Sequence, residues 1–224
     1  MSLAKTLWEA NADLAREALG YRFVRGLADG SLPLGSFQGY VAQDAFFLEN
    51  FARAYALALA HCKDQQGMRD FARLISGTIE ELELHEGYAG RWGVSLEGTE
   101  PVEATLAYTD FLLATASLGD VGETCAAMAP CMRLYAFLGQ SLAKEGVGDG
   151  NPYTEWIEAY ADPGFEALAA KPGDHARPLC LQYTRRALRL PPRDGARGRL
   201  LHGQRGRLTV RCKTAKLVLS GTPP

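Results

Sequence analysis

The chain has 224 residues, 47% of them hydrophobic, and a formal net charge of −2, enough for one domain with a large buried core. No apolar run approaches the ~18 or more residues that a membrane span requires, so no membrane partner is expected. Five cysteines, Cys62, Cys125, Cys131, Cys180 and Cys212, are widely spread with no Cys-x-x-Cys, which argues against a disulfide framework and a structural zinc site and favours a reducing, cytoplasmic setting.

Residues 3–19 carry Leu3, Leu7, Ala10, Leu14 and Ala18 at near-helical period and read as an amphipathic helix rather than a signal peptide. Asp29-Gly30-Ser31 is a break, and Pro33 suits the first turn of a helix running to about residue 61. In that helix Phe37, Tyr40, Val41, Asp44, Phe47, Leu48 and Phe51 recur at three- and four-residue steps. A second long helix is predicted over 65–92, stopped by Gly93. Others follow over 101–117 and 121–143. Asn151 as N-cap and Pro152 as first helical residue open another, which ends near residue 170, before Pro172. No segment up to Leu179 alternates as a strand does. The fold class is all-α, a helical bundle with antiparallel neighbours where loops are short.

The C-terminal stretch reads differently. From Thr184 onward there are nine Arg, two Lys and one Asp, so this part carries about +10 and the remainder about −12. Pro191, Pro192 and repeated glycines interrupt any helix, and Leu208, Val210 and Cys212 alternate weakly. The division expected is a helical domain over 1–183 and a basic tail over 184–224, disordered or frame-altered. Such a tail attracts nucleic acid by counterion release, but it lacks interleaved aromatics, so nucleic acid is not the expected partner.

Cys131 and Tyr135 are four residues apart and share one face of a helix. Most buried cysteines only pack, but Pro130 beside this one leaves a carbonyl without its donor and kinks the helix, as happens beside cavities. Cys125 has no comparable neighbours and reads as core. Asp44 falls on the apolar side of its helix, where a lone carboxylate is costly. It is either paired, with Arg53 or Arg133 as partners, or it holds the amine or ring nitrogen of a ligand. Tyr108, Tyr135, Tyr153 and Tyr160, each plausible as plain core, could with Phe47 line a flat slot for a planar heterocycle. Glu80, Glu81, Glu83 and His85 contain no Glu-x-x-His, and with four histidines in all the ligand supply for a metal is short. They read as a solvated acidic face, and neither metal nor cofactor is expected. No Gly-rich phosphate loop and no Gly-x-Ser-x-Gly occur.

Asp29-Gly30-Ser31-Leu32, Phe37-x-x-Tyr40-Val41-x-Gln43-Asp44, Phe47-Leu48-x-x-Phe51-x-Arg53, Tyr108-Thr109-Asp110-Phe111, Pro130-Cys131-x-x-x-Tyr135 and Asn151-Pro152-Tyr153-x-x-Trp156-Ile157-x-x-Tyr160, in this order over about residues 5–170, resemble the TenA proteins, the thiaminase II group, in its cysteine-containing branch. The resemblance implies a heme-oxygenase-like all-α fold without haem and a homotetramer. It implies hydrolysis of 4-amino-5-aminomethyl-2-methylpyrimidine to the hydroxymethyl pyrimidine in thiamin salvage, with thiamin itself a poorer substrate. Cys131 is then similar to the nucleophile, Asp44 to the carboxylate that binds the ring amine, Tyr135 to the tyrosine near the thiol, and Tyr108 and Tyr160 to aromatic pocket residues. Phe47 departs from the tyrosine of many members, which removes a hydrogen bond. The family's C-terminal glutamate, the acid–base group at the leaving group, is expected near 195–205, yet no glutamate follows Glu166. That loss implies weakened turnover and keeps open a non-catalytic pyrimidine-binding or regulatory protein. No Asp-x-Asp-x-Thr phosphatase motif accompanies the salvage residues.

Overall fold

A computed structural model describes residues 8, 9 and 11–174. They form eight α-helices: α1 (Ala12–Leu19), α2 (Arg22–Asp29), α3 (Leu34–His61), α4 (Gln65–Trp92), α5 (Glu103–Leu118), α6 (Val121–Glu145), α7 (Thr154–Ala161) and α8 (Pro163–Asp174). There is no strand among the described residues, and no helix among them is long and apolar enough to cross a membrane. The basic tail over 184–224, the alternation at 208–212, Cys180 and Cys212 lie outside the described residues.

The long helices begin and end where local chemistry dictates. Asp64 accepts the Gly67 amide at 2.8 Å to open α4, and Gly93, at φ 67°, closes it in a left-handed conformation that favours glycine. α6 opens on a capping box: Asp120 accepts the Glu123 amide at 2.8 Å and Glu123 accepts the Asp120 amide at 3.1 Å. α3 starts one residue after Pro33, which is its N-cap. At 28 residues each, α3 and α4 run about 42 Å, antiparallel across a three-residue link, residues 62–64.

Three predicted boundaries differ. The stretch predicted as one helix over 3–19 lies partly outside the described residues; within them Trp8 and Glu9 are helical, and a turn at Asn11 separates them from α1. α2, which buries Phe23, Val24 and Leu27, is absent from the sequence reading because eight residues carry too little period to register. The helix expected over 151–170 is two. Pro163 disfavours helical geometry in the residue before it, so Asp162 turns extended, and its Oδ1 accepts the amides of Gly164 and Phe165 at 2.6 and 3.3 Å to start α8. α8 then runs through Pro172 to Asp174. Only the final residues follow that proline, so few helical bonds are at stake. Asn151 serves two helices: Oδ1 accepts the Tyr153 amide at 2.8 Å, while Nδ2 donates to the Leu27 and Ala28 carbonyls at 2.9 and 3.0 Å, satisfying orphan acceptors at the end of α2.

The core has two parts. One joins α1, α2, the start of α3, the end of α6 and α7 around Phe37, Tyr40, Leu138, Trp156 and Ile157. The other joins the rest of α3 with α5 and the start of α6 around Phe51, Leu112, Ala116 and Met128, with Phe71 from α4. Cys131 packs against both.

α6 and α7 touch backbone to backbone at Gly139, where a Cβ would lie 2.5 Å from the Tyr160 carbonyl carbon and 2.7 Å from the Ala161 nitrogen. Gly139→Ala is therefore expected to lose about 1–3 kcal/mol by overpacking, a drop in Tm of roughly 2–4 °C per kcal/mol. The control Gly148→Ala, whose Cβ would meet nothing within 4 Å, is expected to leave the thermal denaturation midpoint unchanged.

Candidate active site

A cavity of about 240 Å³ lies where the two core clusters meet. Asp44, Phe47, Phe51 and Tyr55 from α3 line it, with Thr78, Glu81 and His85 from α4, Cys131, Met132 and Tyr135 from α6, Trp156 and Tyr160 from α7, and Phe165 from α8.

Asp44 is 4% exposed. Its Oδ2 accepts the Tyr40 hydroxyl at 3.0 Å and faces His85 Nε2 at 2.8 Å; the Trp156 indole donates to the Tyr40 hydroxyl at 3.2 Å. His85 Nδ1 lies 2.9 Å from the Glu81 carbonyl. Both ring nitrogens thus face acceptors, and only an imidazolium donates from both. Burial opposes that charge. The hydrogen bond and charge of Asp44, helped by the Glu81 carbonyl and carboxylate, outweigh it and lift His85 to about 9. The partner of Asp44 is therefore a histidine 41 residues away, not Arg53 or Arg133. Arg53 is spent on Glu49 and Asn50 on its own helix. Arg133 pairs with Glu166, which also accepts from Gln140, and lies over the Trp8 ring. With Oδ2 so engaged, Asp44 lines the cavity.

The predicted acidic face on α4 divides. Glu83 is exposed, and so is Glu80 at the cavity rim. Thr78, Glu81 and His85, at three- and four-residue steps, turn inward. Glu81 is half-buried, and its Oε1 accepts the Tyr160 hydroxyl at 3.1 Å. Burial, then the charge of Asp44, raise its carboxyl to about 7, against the opposing pull of His85 and of the Tyr160 bond.

Cys131 follows Pro130 inside α6, where the missing N–H releases the Ala126 carbonyl from its helical bond. The thiol is half-buried. Burial pushes its pKa well up, and Asp44 and Glu81 add to the rise, so the thiol is neutral. Cys125 is buried in the second cluster and does not line the cavity. The aromatic residues separate. Phe47, Tyr135 and Tyr160 line the cavity, with Tyr135 and Tyr160 at 4.9 Å and Trp156 and Tyr160 at 4.7 Å between ring centroids. Tyr108 stacks on Phe47 at 5.3 Å from behind and does not line it. Tyr153 is remote, its hydroxyl donating to the Leu32 carbonyl and its ring on Phe37. Among the described residues no three His, Cys, Asp or Glu gather as a metal site.

Sequence reasoning missed the inward roles of Glu81, His85, Trp156 and Phe165. The signal for the first two was available: a buried Asp44 in need of a partner, and a Glu and a His one turn apart. The assembled cavity presents a fixed carboxylate, flat aromatic walls, a thiol and a second carboxyl near neutrality. These suit nucleophilic addition to a planar, amine-bearing ring.

Residues 10–189 match the TENA/THI-4/PQQC family. An aminopyrimidine aminohydrolase from Halalkalibacterium halodurans is 37% identical over 174 residues, 75% of this chain and 78% of that protein. The thiamine biosynthesis multifunctional protein ThiED of Corynebacterium efficiens is 37% identical over 168 residues, 75% of this chain but 23% of that protein. A crystal structure of a TenA family transcription regulator from Silicibacter sp. TM1040 superposes with a TM-score of 0.74 at 28% identity, covering 98% of this chain and 93% of that one.

The buried pair carries a pH signature. The pKa of His85 is raised from 6.5 to about 9 on folding, so its stabilisation is complete below pH 6.5 and is lost as pH rises toward 9. The loss is on the order of 3 kcal/mol. Urea denaturation at pH 6.5 and pH 9 is expected to show this fall, and His85→Gln is expected to flatten it.

Proposed function

The chain belongs to the TENA/THI-4/PQQC family, and within it we propose that this protein is an aminopyrimidine aminohydrolase of the thiaminase II type, acting in thiamin salvage. The fold is the heme-oxygenase-like all-α one of its structural relatives. The observation that carries the reading is that Cys131 and Asp44 line one aromatic-walled cavity. The relative from Halalkalibacterium halodurans, an aminopyrimidine aminohydrolase, supports the reaction class.

In this reading 4-amino-5-aminomethyl-2-methylpyrimidine enters the slot. Oδ1 of Asp44 accepts from an amino group of the ring, a charge-assisted bond that a buried carboxylate makes strong. His85 holds that carboxylate in place through Oδ2. Phe47, braced by Tyr108, and the Tyr135, Trp156 and Tyr160 group hold the ring plane. Cys131 adds to the ring, the amine leaves the exocyclic carbon, water takes its place, and the thiol departs. Covalent addition replaces one difficult displacement with easier steps. Tyr135 stands one turn from the thiol and steers the adduct rather than reacting. Phe47 contributes stacking without a hydroxyl, so ring recognition falls on Asp44.

A binding-only protein is the second reading, favoured by one observation: no glutamate follows Glu166 in the sequence. Turnover separates the two. Cys131→Ala is expected to lower ammonia release from the aminomethyl pyrimidine about 10³-fold or more while leaving calorimetric binding of the hydroxymethyl product intact. A parent chain that binds product and releases no ammonia would establish the binding-only reading.

We also read the chain as a cytoplasmic homotetramer. Leu118 is 89% exposed and Leu106 and Val102 are 42% and 46% exposed on and beside α5, apolar side chains that self-association would cover. Sedimentation equilibrium is expected to give four times the 24.3 kDa chain mass.

A further inference from the structure

The reaction needs a proton carrier, and the reading above leaves that post empty. The carrier must remove a proton from a thiol that burial keeps neutral. It must then deliver a proton to the departing amine and take one from the attacking water.

Glu81 faces the same cavity as the thiol. It stands on α4, on the cavity wall shared with Cys131 of α6. Its Oε1 is fixed by the Tyr160 hydroxyl at 3.1 Å, which orients the group. No Lys or Arg among the described residues pairs with it, so Oε2 is not committed to a cation. The cavity's charge balance then favours an internal transfer. Ionising Cys131 to solvent would add a negative charge beside Asp44 and Glu81. Passing its proton to Glu81 leaves the net charge of the cavity unchanged.

Resting on the aminohydrolase reading, we propose that Glu81 is the acid–base residue of the reaction. In the first step its carboxylate takes the Cys131 proton as sulfur bonds to the ring, giving an anionic adduct and neutral Glu81. Glu81 then protonates the amine; the C–N bond breaks with its electron pair on nitrogen, ammonia leaves, and a neutral adduct with an exocyclic methylene remains. Glu81, again a carboxylate, takes a proton from water as the C–O bond forms at that methylene. The C–S bond breaks with its pair on sulfur, and Glu81 returns the proton to the thiolate. One water is consumed and one ammonia released, with no oxidant or reductant.

A carboxyl with a pKa near the working pH is suited to both directions of transfer, and Glu81 sits at about 7. The titratable groups around it are Asp44 and Tyr55 on α3, His85 and Tyr88 on α4, Cys131 on α6 and Tyr160 on α7. The tyrosines all titrate above their usual range, and His85 titrates near 9. Activity that requires the Glu81 carboxylate rises as pH increases through about 7.

The test is Glu81→Gln in the full chain, whose amide oxygen still accepts from Tyr160. With the aminomethyl pyrimidine, kcat is expected to fall about 10²–10⁴-fold with KM within about threefold. The rise in rate through pH 7 is expected to vanish, and calorimetric binding of the hydroxymethyl product to persist. Glu81→Asp, which retains a carboxylate, is expected to keep the rise at reduced kcat, and it serves if the Gln variant does not fold. A Gln variant with parental kcat, or a pH profile that neither substitution alters, would overturn the role of Glu81 while the Cys131→Ala result leaves the hydrolase reading standing. A parent chain that binds product but never turns over would overturn both.

Discussion

The buried Asp44–His85 pair is the contact on which the site depends. An uncompensated carboxylate or imidazolium at this depth would cost several kcal/mol, so each group requires the other. Pairing alone would leave spare donors and acceptors in a low-dielectric interior. Here Tyr40 donates to the same carboxylate oxygen and Trp156 donates to Tyr40, while the far nitrogen of His85 is taken by the Glu81 carbonyl. The chain of bonds runs from α7 through α3 to α4, so three helices are registered against one another by a single polar thread. The same carboxylate lines the cavity. Holding the pair together and presenting an acceptor to a ligand are the same arrangement seen from two sides.

The cavity exists because two core clusters meet without merging. Cys131 touches both, and the proline before it sits at the junction. On the other wall the close approach at Gly139 draws α7 against α6 and sets Tyr160 beside Tyr135. Arg133 and Gln140 then hold α8 to α6 through Glu166, carrying Phe165 to the cavity edge. A backbone contact, a proline and an ion pair, none of them reactive, fix where the reactive groups stand.

Much of this was legible in the sequence, and the parts that were not share a cause. Local signals held: the 65–92 span of α4 with its Gly93 stop, and the apolar stripe of α3 with Asp44 buried in it. Cys131 and Tyr135, one turn apart, both reach the cavity. Pairings across elements were not legible. Arg53 and Arg133 were reasonable partners for Asp44 by charge, but helix packing gave it His85, 41 residues on, and no spacing rule reaches that far. Glu81 looked solvated because its neighbours Glu80 and Glu83 are, and one residue of rotation on a helix separates solvent from cavity. Tyr108 and Tyr153 show the converse. Their ring type suited a pocket, yet one braces Phe47 from behind and the other ties down the Leu32 carbonyl.

The relation of Glu81 to Asp44 explains how two carboxyl groups in one cavity come to differ. Asp44 has a cation as partner and is locked by it. Glu81 accepts from the Tyr160 hydroxyl and lies within the field of Asp44, so burial and repulsion raise it against the pull of His85. Environment can set two similar groups to two tasks, and in the proposed reaction Asp44 binds the ring while Glu81 exchanges the proton. A proton carrier on α4 also has a mechanical advantage. Its backbone belongs to a 28-residue helix anchored through His85 to the binding carboxylate. The distance between Asp44 and Glu81 is thereby set by the packing of α3 against α4. The proposed proton transfer therefore draws only on residues of the described helical core.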